Sequence, residues 1–301
     1  MDNRLEVREF LSSRRARLTP EQAGLPAGGN RRVPGLRRGE VANLADVSVE
    51  YYGRLERGQI GGASSAVLDA IAEALQLDDT EHAHLFDLAR ASDGIPTSGR
   101  SRGRRLTSKT ASRPSMHWLL ASLKDSVAGV VDQRMNLLAI NDLGRAFYAP
   151  VIGDGGRTPN LARFQFLDPV ARDFYPDWAL FAEMCVAVMR AKAGQDPHDK
   201  EMQDLVGELS TRSDTFRRLW AAHNVRTHGT GSKRFDHPVV GELTLAYEEL
   251  LVSAEPGIAL MTYTAEPGSP SAERLRLLAS WAASTAADTD QEETPHDANQ
   301  R

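Results

Sequence analysis

The chain is poor in cysteine, and that scarcity settles several questions at once. Cys185 is the only one in 301 residues, so no internal disulfide forms and no thiolate cluster holds a metal. Long apolar runs are missing too, and nothing approaches the roughly 20 residues that span a bilayer. The opening residues, MDNRLEVREF, lack the apolar core of a secretion signal. The cytoplasm is therefore the expected compartment, with no membrane partner. Aromatic residues make up only 6%, so the places where they gather carry information. Acidic residues are absent between Pro96 and Pro114, where Arg100, Arg102, Arg104, Arg105, Lys109 and Arg113 fall.

That gap belongs to a wider asymmetry. The net charge is −5, yet between Arg4 and Arg57 arginines outnumber acids, with Arg14, Arg15, Arg17, Arg31, Arg32, Arg37 and Arg38 clustered there. The C-terminal DTDQEET is acidic. Charge alone reads first as a solvated surface. A basic N-terminal third in an acidic chain also fits a polyanionic partner for that third.

Apolar spacing predicts five helices up to about Ala91, beginning with Leu5 to Arg17. A loop too rich in Gly and Pro for any regular element follows. The stretch RRGEVANLADVSVEYYGRLERG, from Arg37, then carries two short amphipathic pieces. Val41, Ala42, Leu44 and Ala45 share a face of the first, and Tyr52 and Leu55 share a face of the second. Val47 sits in the break as a plug, and Ala42 is small where two helices cross. Ser48 is a good N-cap, Glu50 favours the first turn and Gly58 ends the helix. These features specify two helices packed steeply through a tight turn, which is helix-turn-helix geometry with the second helix in the DNA major groove. The candidate DNA contacts are Arg38, Ser48, Val49, Glu50, Tyr51 and Arg54, with Arg38 facing a phosphate or the groove edge. Two positions depart from the ideal pattern. Asp46 occupies the turn position that favours a left-handed residue, usually glycine, and Gly53 lies inside the second helix.

The segment SDGIPTSGRSRGRRLTSKTASRP has almost no large apolar residue and reads as a linker. Boundaries are expected at 1–93 for the helical domain, 94–114 for the basic linker, 115–284 for a second domain and 285–301 for a disordered acidic tail. In the second domain, Met116, Leu119, Leu120 and Leu123 mark a helix, and VAGVV and NLLAI a hairpin. Asn141 caps a further helix. A helical block follows, then strand-like text: SKRFDH, VVGELTLAYEELLV and GIALMTYTAE. Leu243, Leu245 and Tyr247 alternate with polar residues, the period of a sheet with one buried face. Two strands, a helical block and three strands make an α+β layout.

The text VPGLRRGEVANLADVSVEYYGRLERG resembles the N-terminal domain of XRE-type actinobacterial regulators that carry an MmyB-like ligand-binding domain, with Gly39 and Asp46 departing from their usual pattern. NLARFQFLDP, DWALFAEMCVAVMRAKAGQDP, SDTFRRLWAAHNV, HPVVGELTLAYEEL and YTAEPGSPS extend the resemblance into the C-terminal part, so that it covers most of residues 1–284. The implied fold is a five-helix, λ-repressor-like, all-α helix-turn-helix domain followed by a PAS-like α+β domain. The implied partners are double-stranded DNA and, for some members, a small apolar ligand such as a fatty acid. A homodimer on a two-fold site is expected.

Phe147, Phe164, Trp178, Phe181, Met184 and Trp220 are candidates for an apolar ligand cavity, joined by Phe166. Arg163 and His223 are candidates for a polar head-group contact. Each aromatic taken singly reads as ordinary core, which leaves a dimerisation or partner-docking module without a small molecule as the alternative. No enzyme, cofactor or metal is expected. Cys185 sits in an apolar helix without an activating cation, and His223, His228 and His237 lack metal-site spacing. GTGSK lacks the full phosphate-loop spacing.

Overall fold

The computed structural model describes residues 3–26, 33, 35–93, 113–153, 157–225 and 229–292. Most of the linker expected at 94–114 lies outside them, up to residue 112. The chain divides into two compact units, one formed by residues 1–103 with 182–228 and the other by residues 104–181 with 229–301.

In the first unit the five expected helices are α1 (Asn3–Arg17), α2 (Arg38–Leu44), α3 (Val49–Glu56), α4 (Ser65–Ala74) and α5 (Asp79–Ser92). Their starts are written in the sequence. Ser48, Ser64 and Asp78 each accept a hydrogen bond from the first turn of the helix that follows, and Asp78 forms a reciprocal capping box with Glu81. Apolar faces meet in one core that includes Val7, Phe10, Leu11, Val41, Ala42, Tyr52, Leu55, Leu68, Ile71, Leu85 and Leu88. Each large side chain buried there contributes about 1.5–3 kcal/mol. Asp46 adopts the left-handed conformation the turn demands, with φ of 50°. Gly58 ends α3 with φ of 89°, and a Cβ there would lie 2.3 Å from the Arg4 carbonyl oxygen, so both backbone conformation and space require glycine.

The second unit opens with α6 (Pro114–Ser122), β1 (Val127–Asp132), β2 (Leu137–Ile140), α7 (Asp142–Phe147), α8 (Ala149–Ile152), α9 (Leu161–Leu167) and α10 (Ala171–Phe174). Then come α11 (Trp178–Gln195), α12 (Lys200–Arg212) and α13 (Asp214–Ala221), which from residue 182 on belong to the first unit. The chain returns to strands β3 (Thr230–His237), β4 (Gly241–Leu251) and β5 (Ile258–Thr264), and ends in α14 (Pro270–Glu292). The five strands form one antiparallel sheet in the order β2-β1-β5-β4-β3. One face carries the aromatic core, with α7, α9, α10 and α14 contributing. The other face packs Ala128, Val130, Ile258 and Leu260 against Met116 and Leu120 of α6. Asn141 does more than cap α7. Its amide oxygen accepts from Gly144 and Ala128, and its nitrogen donates to the carbonyls of Leu123 and Ser126.

Two features stand beside the boundaries expected from the sequence. Residues 182–228, assigned by composition to the second domain, fall in the compact unit of the N-terminal helices. Ala191 and Val225 pack on that unit's core, and Arg190 reaches Glu6. And α14 continues to Glu292, past the tail boundary expected after residue 284, through a run that includes the strong helix formers Ala286 and Ala287.

Candidate nucleic-acid interface and aromatic cluster

Helix α3 presents two faces of opposite character. Tyr52, Leu55 and Glu56 are buried, whereas Val49, Glu50 and Arg54 are exposed and Tyr51 half-buried. Ser48 fixes the start of the helix by accepting from the Tyr51 N–H at 3.1 Å. Val49, half of whose surface is open at 49%, is an apolar group held in water at the helix start. The Arg54 guanidinium lies 4.7 Å from the Tyr51 ring centroid, which orients it while leaving its fork exposed. Arginine, carboxylate and a small apolar side chain on one outward surface match the groups that read guanine, cytosine and the thymine methyl.

The inward face of α3 is fixed by a charged device absent from the sequence reading. Glu56, only 1% exposed, accepts from Arg15 of α1 at 2.7 Å and from Arg38 of α2. Arg15 also donates to the carbonyl of Leu36. One carboxylate thus ties together three helices at the end of α3. The hydrogen bond and charge of Glu56 hold the Arg38 guanidinium above its ordinary value, and burial does the same for the Tyr52 phenol. Arg38, expected at the phosphate or groove edge, is therefore also part of the scaffold, with half of its side chain still open. Only the phrase RLERG hinted at this, since Glu56 directly follows a buried leucine.

The residues singled out for a ligand are divided between the two units. Phe147, Phe164 and Phe181 join one buried cluster in the second unit, and Trp178 packs against it half-buried. There Phe147 meets Phe235 at 4.9 Å, Phe174 at 5.5 Å and Tyr148 at 5.0 Å between ring centroids. The Trp178 indole nitrogen donates to Gln165, and its ring carries Arg172 at 4.0 Å. Phe166 lies against Trp178 at 6.1 Å. Arg163 sits half-buried in the first turn of α9, where its N–H is capped by Asn160. Met184, Trp220 and His223 lie in the first unit. Trp220 stacks on Phe216 and meets the Arg190 guanidinium at 4.1 Å. Trp220 and His223 border a cleft of about 710 Å³ along α1, with Glu9, Arg15 and Arg217.

His223 itself belongs to a buried polar cluster. Arg190, 1% exposed, pairs with Glu6, donates to the Trp220 carbonyl and lies 2.9 Å from His223 Nδ1. Nε2 of the same ring meets Glu9 at 2.7 Å. Burial pushes the Glu6 carboxyl up, but the contacts from His223 and the charge of Arg190 outweigh it and hold it at about 2. Glu6, Glu9 and His223 lie close enough together to suggest a metal site. A cation already stands in the cluster, since the Arg190 guanidinium pairs with Glu6 and lies against His223. Cys185 is half-buried.

Sequence reasoning also passed over Lys233. It lies on β3 with its ammonium 4.6 Å from the Tyr247 ring and 5.3 Å from that of Phe181. The pattern SKRFDH held the signal, because Lys233 shares the parity of buried Phe235 and His237.

Residues 112–278, more than half of the chain, match the family model of the MmyB-like transcription regulator ligand binding domain. Residues 7–85 match that of a helix-turn-helix domain. A search of curated proteins found no match.

Proposed function

Because the chain belongs to the family of transcription regulators with an MmyB-like ligand-binding domain, preceded by a helix-turn-helix domain, we propose that it is a sequence-specific regulator that responds to a small apolar ligand of the fatty-acyl class. The observation that carries the DNA half is α3: capped by Ser48, clamped through Glu56, and exposing Val49, Glu50 and Arg54 together. In this reading Arg54 pairs with guanine, Glu50 accepts from a cytosine amino group and Val49 packs on a thymine methyl. The protein works in the cytoplasm as a homodimer on a two-fold operator. It is not an enzyme. Ligand binding shifts the balance between DNA-competent and incompetent dimers by as much as the ligand prefers one of them.

Fluorescence anisotropy with DNA from upstream of its own gene tests this. Binding is expected to be sequence-selective and to weaken steeply with salt. Arg54→Ala should remove about 1–3 kcal/mol of discrimination at one base position. Arg38→Ala should weaken binding to all sequences, because it loosens the Glu56 clamp as well as removing a cation. Absence of any selective, salt-dependent site sinks the proposal, and unchanged base preference in Arg54→Ala removes that residue from the reading set.

The ring-on-ring packing of Phe147, Phe174 and Phe235 favours a second reading, in which the aromatic cluster is solid core and the domain serves for docking. Native mass spectrometry of the purified protein, before and after addition of fatty acid, separates the two. A retained acyl chain supports sensing, and none at either stage supports docking.

A further inference from the structure

Residues 182–228 fall within the stretch matched by the ligand-binding model, yet they pack in one compact unit with the N-terminal helices. Their hold on α1 is polar and convergent. Arg190 of α11 pairs with Glu6 and donates to the Trp220 carbonyl, so one guanidinium joins α1 to the end of α13. His223 follows α13 in a left-handed conformation, with φ of 53°, which sterics disfavour for any residue with a side chain. Its ring stands between Arg190 at 2.9 Å and Glu9 at 2.7 Å, and its carbonyl accepts from Arg14. Asn224, the next residue, accepts from Arg17 at 3.3 Å and from Arg14 at 3.5 Å. Helix α1 serves two directions. Arg14 meets this corner, while its neighbour Arg15 pairs with Glu56 at the end of α3, at 2.7 Å.

We infer that Arg190, His223 and Asn224 form a latch on α1 that positions the reading helix, so that docking of residues 182–228 and operator binding favour each other. This rests on the DNA reading above and adds its control. With the segment docked, Val49, Glu50 and Arg54 of α3 are exposed, so the docked state is the one able to read. Release leaves the buried Glu6 carboxylate without its cation, and α1 loses the ties that seat Arg15 on Glu56. The coupling is reciprocal: a latch that raises operator affinity is tightened by the operator by the same factor. The three residues are positioning residues, acting on DNA through α1 and α3. Asn224 is the adjustable one. It is exposed, and the two arginines it meets share the Glu81 carboxylate. A carboxylate at this position adds charge-assisted hydrogen bonds, and an ammonium repels both guanidinium groups.

Hydrogen exchange read by mass spectrometry, on the full chain with and without a duplex from upstream of its own gene, tests the latch. In the free protein the amides of α12 and α13 should exchange about two- to fivefold more slowly in Asn224→Asp than in the wild type, and faster by a similar factor in Asn224→Lys. The duplex should slow the same amides in all three proteins. Fluorescence anisotropy separates a latch from direct contact between this segment and DNA. A latch makes Asn224→Lys bind the duplex several-fold more weakly than Asn224→Asp, although lysine adds a cation. A phosphate touching the segment gives the reverse order. Exchange in α12 and α13 that ignores both substitutions, or that the duplex leaves unchanged while it slows α3, overturns the latch and leaves the DNA reading standing. Binding by Asn224→Lys that equals or exceeds that of Asn224→Asp overturns it too. No slowing anywhere, together with no selective binding, overturns the DNA reading and this inference together.

Discussion

Around the N-terminal helices the largest fully buried side chain is an arginine, Arg190, whereas around the sheet the largest are Tyr148, Phe147, Phe174 and Phe235. The first unit surrounds its apolar core with paired charges: Arg190 with Glu6, Arg15 and Arg38 with Glu56, Arg14 with Glu81. The second is filled by rings meeting mostly edge to face. A buried ion pair is unforgiving, because loss of one partner strands the other. The hydrophobic drive behind such packing is non-directional and tolerates exchange of shape at similar volume, although ring pairs prefer edge-to-face contact.

The comparison breaks most sharply at Arg190. Arg190→Met should destabilise the protein by about 3–5 kcal/mol in urea unfolding, because Glu6 stays buried without its cation. Leu243→Met in the aromatic unit, a volume-conserving exchange, should cost less than about 1.5 kcal/mol in the same assay. Equal losses would erase the distinction drawn here.

Acid sharpens it next. Burial depresses the His84 imidazole from 6.5 to about 4, and both of its ring nitrogens lack a hydrogen-bond partner among the described residues. The unfolded chain therefore takes up a proton that the folded one refuses. Stability from this group is complete above pH 6.5 and declines as pH falls toward 4, by up to about 3 kcal/mol. Unfolding midpoints at pH 7 and pH 4.5 measure it, and His84→Leu should flatten that part of the slope. Glu6 acts in a lower window, its contribution being lost only as pH falls from 4.5 toward 2.

Two smaller effects follow. A Cβ at Gly194 would stand 2.4 Å from the His84 ring, so Gly194→Ala should cost about 1–3 kcal/mol by overpacking. Ser48→Ala removes the cap of α3 and should cost about 1 kcal/mol, read as a lower melting temperature. DNA affinity should drop with it, since the frayed turn carries Val49 and Glu50.

Local features were legible in the sequence. The apolar spacing at Val41, Ala42, Tyr52 and Leu55, the cap at Ser48 and the left-handed turn at Asp46 all concern neighbours a few residues apart, and the structure has each of them. The alternation of Leu243, Leu245 and Tyr247 likewise gave β4 its face. What stayed hidden was long-range pairing. Glu6 and Arg190 stand 184 residues apart, and a charge read alone looks like solvated surface. For the same reason Trp220 and His223 were grouped with Phe147 on residue type, although they lie in the other unit. Glu56 passed for an ordinary member of a charged helix end, when it is the anchor of that helix.

That anchor separates address from chassis. The side chains that fasten α3 are Tyr52, Leu55 and Glu56, with half-buried Tyr51 packed beside them, and those that look outward are Val49, Glu50 and Arg54. Substitutions at the outward three touch none of these fastenings, so under the proposed reading new operators become reachable by changing three letters while the domain goes on folding as before.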